Sequence, residues 1–270
     1  MESSEFKHRY GPWALIAGAS EGTGAEFARQ LAASGLNLIL VARREGPLDA
    51  LAAEIHAAHG VQVIAATIDL AKKDAAERMA QVAQGREVGL LILNAGADPN
   101  GAMFLDGDIP NWVDLANRNV ITVMRACHHF GRAMRDRGRG GIMVVGSGAC
   151  YAGLPGIATY GATKAFDMLL CESLWAELKP HGVDVLHFVI GRTDTPAHRE
   201  LMEARGMAIP ADLADAGEVA AIGLAHIDKG PVKNWDLADD EAGWAITSAA
   251  TRRARIEAVA AMSAAYAGKK

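Results

Sequence analysis

Six short apolar runs recur along the chain: WALIA at 13–17, LNLILVA at 36–42, VQVIAATI at 61–68, GLLIL at 89–93, GIMVVG at 141–146 and VDVLHFVI at 183–190. They are mostly unbroken rather than alternating, the pattern of strands buried on both faces. Between them lie Ala-rich stretches with helical spacing, such as GAEFARQLAASG and PLDALAAEIHAAHG, which end on Gly35 and Gly60 as helix C-caps do. Strand and helix in alternation predict an α/β fold, a doubly wound parallel sheet with right-handed crossovers and helices on its flanks. GPVKNW at 230–235 is a candidate seventh strand. No repeat or linker divides the chain, so a single domain is expected over 1–270, with its core at 11–235. Residues 191–217 form the longest interruption and read as a loop with a short helix, an insertion of the kind that serves as a lid. An Ala-rich segment containing Arg252, Arg253 and Arg255 predicts a C-terminal helix over 241–268.

Half of the 270 residues are hydrophobic and 22% are charged, ordinary globular composition with material for a large core. The net charge of −5 argues against nucleic acid or an anionic membrane as the main partner. No apolar run reaches the roughly 18 residues of a membrane span. The polar N-terminus MESSEFKHRYGPW lacks the apolar core of a signal peptide. Cys127, Cys150 and Cys171 are too widely spaced for a metal motif and suit buried thiols in a reducing compartment. His128 and His129 are adjacent rather than four apart, so no metal site is expected from them. The expectation is a soluble cytoplasmic protein without a metal.

The first strand runs into AGASEGTGAEFARQL. Gly18, Gly22 and Gly24 follow G-x-x-x-G-x-G rather than G-x-G-x-x-G, but the physics is shared. Such glycines let the backbone turn tightly and approach a pyrophosphate, and the following helix offers its N-terminal dipole. At the end of the second strand Ala42 stands where an NAD site would carry an acid, and Arg43 and Arg44 follow. Guanidinium groups suit a 2′-phosphate, which favours NADP(H) over NAD(H). Glu21 inside the loop weighs against this, since it would repel a phosphate.

Tyr160 and Lys164 are four residues apart and share one helical face. A nearby ammonium lowers a phenol's pKa, so that it can pass a proton while a hydride moves at carbon. Alone, the pair is common by chance and reads more readily as two side chains of a half-buried helix. Its surroundings change that reading: Ser147 follows the strand GIMVVG, LNAG at 93–96 follows the fourth strand, and Asn119 lies on the next helix.

With GASEGTG, Asp69, NAG at 94–96, Asn119, Ser147, YGATK and GRTDT in this order, the chain resembles the short-chain dehydrogenase/reductase family over about residues 11–235. The resemblance implies a Rossmann fold and a catalytic set of Asn119, Ser147, Tyr160 and Lys164. Tyr160 would be the acid/base. Lys164 would hold the nicotinamide ribose and lower the Tyr160 pKa. Ser147 would bond the substrate oxygen, and Asn119 would hold a water in a proton relay. Cofactor contacts are expected from Gly18, Ser20, Glu21, Gly22, Thr23, Arg43, Arg44, Asp69, Leu70, Asn94, Ala95, Gly96, Ile190, Thr193 and Thr195, as well as from Tyr160 and Lys164. The arginines after the second strand are similar to those of NADP-preferring members.

Two positions depart from the family pattern. Ala17 replaces the usual Thr, which puts one tie between the glycine loop and the NAG strand in doubt, and Ile190 replaces the usual Pro. The C-terminal third also lacks the ending common in tetrameric members, so a homodimer is expected and a tetramer remains open.

The substrate is expected beyond the carboxyl ends of the strands. Ser147, Cys150, Leu154 and Tyr160 are its candidate contacts, with Met103, Phe104, Tyr151, Leu201 and Met202 as further walls and His198 as a weaker one. Apolar walls suit a hydrophobic or aromatic alcohol or ketone. The expected activity is hydride transfer between NADP(H) and such a compound. An NAD-dependent enzyme of the same family, a catalytically silent nucleotide-binding protein and a methyltransferase are the alternatives.

Overall fold

The unbroken apolar runs form the strands of one sheet in the computed structural model, which describes residues 3–204 and 206–236. The strands are β1 (Trp13–Ala17), β2 (Asn37–Ala42), β3 (Val63–Thr67), β4 (Val88–Leu93), β5 (Gly140–Ser147), β6 (Val183–Ile190) and β7 (Val232–Asn234). All seven pair in parallel, in the order β3-β2-β1-β4-β5-β6-β7. The helices are α1 (Ser3–Tyr10), α2 (Gly22–Ala33), α3 (Glu45–His59), α4 (Ala75–Ala83), α5 (Ile109–Ala116), α6 (Thr122–Arg137), α7 (Ala158–Leu178), α8 (Pro196–Ala204) and α9 (Ala216–Ala225). The C-terminal helix expected over 241–268 lies outside the described residues.

Successive strand side chains alternate between two cores. Ala14 and Ile16 join Phe27 and Leu31 of α2, Leu48 of α3 and Val219 of α9 on one face. Leu15 and Ala17 join Met79 of α4, Phe130 and Met134 of α6, and Cys171 of α7 on the other. Each fully buried Leu or Phe contributes about 1.5–3 kcal/mol, so sequestering both faces holds the layers together. β1 is flanked by β2 on one side and β4 on the other. The chain connections therefore diverge at the carboxyl end of β1 and leave a cleft there.

Two segments differ from a plain reading of the polarity pattern. The polar N-terminus folds as α1, held by two aromatic residues rather than an apolar stripe. Phe6 and Tyr10 pack with ring centroids 4.7 Å apart, and the Tyr10 hydroxyl donates to Asp184 Oδ2 at 2.7 Å, with Arg9 on the same carboxylate. Within 191–217 the short helix is α8, and Thr193 bridges to Ala214 before Asp215 caps α9.

Candidate active site

The glycine loop joins β1 to α2 at the mouth of the cleft. Gly18 and Gly22 have positive φ, 87° and 53°. Space is as restrictive as angle: a Cβ on Gly18 would lie 2.6 Å from the Ala95 nitrogen, and one on Gly24 would lie 1.9 Å from the Gly18 carbonyl oxygen. A Cβ on Gly22 would lie 2.7 Å from Thr195 Cγ2, so Thr195 closes over the loop from the segment before α8. Glu21 precedes α2 in an extended conformation, and its side chain makes no capping hydrogen bond to the helix. Its first-turn N–H groups are thus free of a side-chain cap, as an anion site requires. Ser20 and Glu21 are half-buried beside them, and Thr23 is buried.

The tie put in doubt at Ala17 is supplied from the other strand. Asn94 Nδ2 donates to the Gly18 carbonyl at 2.9 Å, and the backbone N–H groups of Asn94 and Ala95 donate to the Ala17 carbonyl at 2.9 and 3.0 Å. The expected repulsion at Glu21 also needs correcting, because its carboxylate forms an ion pair with Arg44. Arg43 is exposed, with no carboxylate at ion-pair distance among the described residues. Sequence reasoning does not single out Arg118, whose Nη1 donates to the Ala97 carbonyl at 3.0 Å. Burial lowers its pKa and the Arg43 charge pushes the same way, while Asp69, Asp114 and Asp98 oppose. Asp69 Oδ1 accepts from the Ala71 N–H at 3.0 Å, and the Leu70 carbonyl accepts from Thr122 Oγ1 at 2.9 Å, which fixes the turn after β3.

The candidate catalytic residues come from three elements: the turn between α5 and α6, β5 and α7. Asn119 is buried in a wide π turn, Asn117–Ile121, between α5 and α6. Such turns are frequent at functional sites because they re-aim a side chain. Asn119 Nδ2 donates to the Gly96 carbonyl at 3.2 Å and to Thr163 Oγ1 at 3.0 Å, and Thr163 Oγ1 donates to the Tyr160 carbonyl at 2.8 Å. Asn119 Oδ1 is buried and has no hydrogen-bond donor among the described residues. A buried acceptor of this kind calls for a water or ligand donor. Ser147 ends β5, where its Oγ accepts from the Ala149 N–H at 3.3 Å.

Tyr160 is half-buried in the first turn of α7. One turn on, the buried Lys164 Nζ donates to the Val145 carbonyl at 2.9 Å and to Asp167 Oδ2 at 3.1 Å. Burial opposes the ammonium, but Asp167 and Tyr160 outweigh it and hold Lys164 above the usual lysine range. Burial also lifts the Asp167 carboxyl, with Lys164 pulling the other way. At 3.1 Å the ion pair is the state in which each charge compensates the other.

A second tyrosine, Tyr151, also follows Ser147. Its hydroxyl donates to Asn234 Oδ1 at 2.9 Å, and burial raises its pKa, the wrong direction for a group that must ionise near neutrality. Of the other candidates, Cys150 is buried against Met168 and Val189, its thiol pushed up to about 12 by burial. Leu154 is half-buried, Ile190 packs on the α2 side of the sheet, and Thr193 is buried. Met103 and Phe104 are exposed, with Phe104 stacked on Trp112 at 6.4 Å. Leu201 and Met202 are half-buried on α8.

The glycine cradle, the uncapped α2 and the unpartnered Asn119 Oδ1 fit a nicotinamide dinucleotide, and together with Ser147, Tyr160 and Lys164 they define an NAD(P)-dependent oxidoreductase on a Rossmann fold. Residues 12–206 match the short chain dehydrogenase family, and the chain belongs to it. It is 33% identical over 191 residues to a 7β-hydroxysteroid dehydrogenase of Collinsella aerofaciens, covering 71% of this chain and 72% of that one. It is 37% identical to a very-long-chain 3-oxoacyl-CoA reductase of Podospora anserina, with 69% of this chain covered, but spans only 56% of that relative. Among solved structures, the short-chain dehydrogenase from Sphingobium yanoikuyae in complex with NADPH superposes with a TM-score of 0.76 at 28% identity, covering 96% of each chain. The enzyme catalyses hydride transfer of the short-chain dehydrogenase type.

Proposed function

We propose that the enzyme is an NADP(H)-dependent carbonyl reductase or alcohol dehydrogenase acting on a bulky hydrophobic secondary alcohol or ketone. The observation that supports the reading best is the chain of hydrogen bonds from Gly96 through Asn119 and Thr163 to the Tyr160 carbonyl, with the buried Lys164 one turn on, together with an Arg43 that has no ion-pair partner among the described residues. When bound, the nicotinamide donates or accepts the hydride. The chain's own residues do the rest. Gly18, Gly22, Gly24 and the start of α2 would hold the pyrophosphate, Asp69 and Leu70 the adenine, and Asn94, Ala95, Gly96, Thr193 and Thr195 the nicotinamide half. Lys164 would bind the ribose and stabilise the Tyr160 phenolate. Ser147 would fix the substrate oxygen, and Tyr160 would pass a proton to it during reduction and remove one during oxidation. Asn119 Oδ1 would hold the water through which that proton is replaced.

NADP(H) is favoured because Glu21 is already paired with Arg44, which leaves Arg43 available to a 2′-phosphate. The hydrophobic substrate is supported by the apolar Leu154, Leu201 and Met202, and by relatives named for a steroid and a very-long-chain acyl group. A homodimer belongs to the same proposal, since Met124 of α6 and Leu169 of α7 expose large apolar side chains. So does a cytoplasmic location, suggested by three cysteines that are all free.

The test is steady-state kinetics with NADPH and NADH on a panel of steroids, aryl ketones and acyl thioesters. NADPH should give the higher kcat/KM. Arg43→Ala should cut it about tenfold to a hundredfold for NADPH, the loss of a charge-assisted bond, and leave NADH nearly unchanged. Equal loss for both cofactors would remove Arg43 from the 2′-phosphate site.

A further inference from the structure

α7 buries Gly161, Thr163, Lys164, Asp167, Met168 and Cys171 towards the sheet. A carboxylate in such a stripe is costly unless it is compensated. The Asp167 side chain is 0% exposed and that of Lys164 4%; Lys164 Nζ bonds Oδ2, and Oδ1 has no partner among the described residues. A well-packed apolar pair would stabilise the fold as well, so stability alone does not account for the ion pair.

Geometry gives a better account. An ammonium has three N–H donors. Lys164 spends one on the Val145 carbonyl and one on Asp167, which leaves one. Its Nζ lies against the cleft floor, since a Cβ on Gly96 would be 2.7 Å from it and 3.4 Å from Asn119 Oδ1.

We propose that Asp167 is a positioning residue: it anchors the Lys164 ammonium from below, so that its charge and remaining donor lie beneath the Gly96 and Asn119 end of the cleft. This rests on the roles given above to Tyr160 and Lys164. The titratable groups facing the pair are Tyr160 and Cys171 on α7, Cys127 on α6, Cys150 after β5 and His187 on β6, with Glu172 acting on Cys150 and Cys171. Burial pushes Cys127 and Cys150 up to about 12 and Cys171 well above its ordinary value. Burial, aided by Lys164, pushes His187 down to about 3. Among the described residues none of these groups forms an ion pair with Lys164, so loss of the Asp167 charge leaves the buried ammonium with only the Val145 carbonyl.

The experiment is a fluorescence titration of NADPH binding to the full chain. Asp167→Asn, which keeps size and loses charge, should raise the NADPH dissociation constant about tenfold. Asp167→Glu keeps the charge and should retain the constant of the unaltered chain within a few-fold. A packing role gives the reverse order, with Asn harmless and the overpacked Glu damaging. An unmoved constant in Asp167→Asn overturns the proposal. Should that variant not fold, the Glu variant decides: an unmoved constant supports the proposal and a raised one overturns it. Failure of the functional reading looks different, because Tyr160→Phe would then keep its turnover whatever stands at position 167.

Discussion

Tyr160→Phe is expected to lower kcat by about 10²–10⁴-fold while the NADPH dissociation constant stays within a few-fold of its original value. The split follows from where the hydroxyl sits. Phenylalanine keeps the ring that packs at the start of α7, and the Thr163–Asn119 chain runs through the Tyr160 carbonyl, which the change leaves in place. What is lost is the O–H proposed to pass a proton to the substrate oxygen. Tyr151→Phe is the informative contrast. That hydroxyl is committed to Asn234, so its removal should move KM for the ketone and leave kcat within a few-fold. Stopped-flow and steady-state assays on the same substrate distinguish the two. Comparable loss of kcat in both variants would mean that the wrong tyrosine has been assigned.

The second large effect is expected from a single methyl group. Gly24→Ala places a Cβ 1.9 Å from the Gly18 carbonyl oxygen and 2.8 Å from Asn94 Nδ2. Neither is the free end of a flexible chain. One is backbone, and the other is held by the hydrogen bond that joins the glycine loop to β4. The loop must therefore shift, which costs about 1–3 kcal/mol of stability and lowers the melting temperature. It also moves the N–H groups that would face the pyrophosphate, so NADPH affinity should fall by at least about a hundredfold. Fluorescence titration with NADPH and thermal unfolding by circular dichroism measure the two effects. Unaltered affinity with a lowered melting temperature would place the dinucleotide elsewhere.

The strands and their order of appearance were legible because a parallel sheet covered on both faces needs unbroken apolar runs, and GLLIL or VDVLHFVI can hardly be anything else in an alternating chain. The proposed catalytic set stands out in the sequence only as a spacing: Ser147, Tyr160 and Lys164 acquire meaning together. Helix α1 was not, because its anchoring is a pair of rings and the distant Asp184 rather than a periodic stripe. Glu21 looked unfavourable to a phosphate until the fold brought Arg44 onto it. Asn94 replaced the tie missing at Ala17 through an amide whose partner lies 76 residues away, a pairing that no local pattern encodes. Arg118 and Asp167 were passed over for a related reason. One bonds a carbonyl 21 residues away, and the other matters through an ion pair whose burial only the fold supplies.

The central claim is that this chain moves a hydride between a nicotinamide and a hydrophobic carbonyl carbon. The direct measurement is mass spectrometry of the alcohol formed from a bulky hydrophobic ketone with NADPH deuterated on the transferred face of the nicotinamide C4. The account requires one deuterium on the carbinol carbon, acquired from the cofactor in ordinary water, and almost no labelled alcohol from Tyr160→Phe. Alcohol without the label, or labelled only when the reaction is run in heavy water, would contradict it.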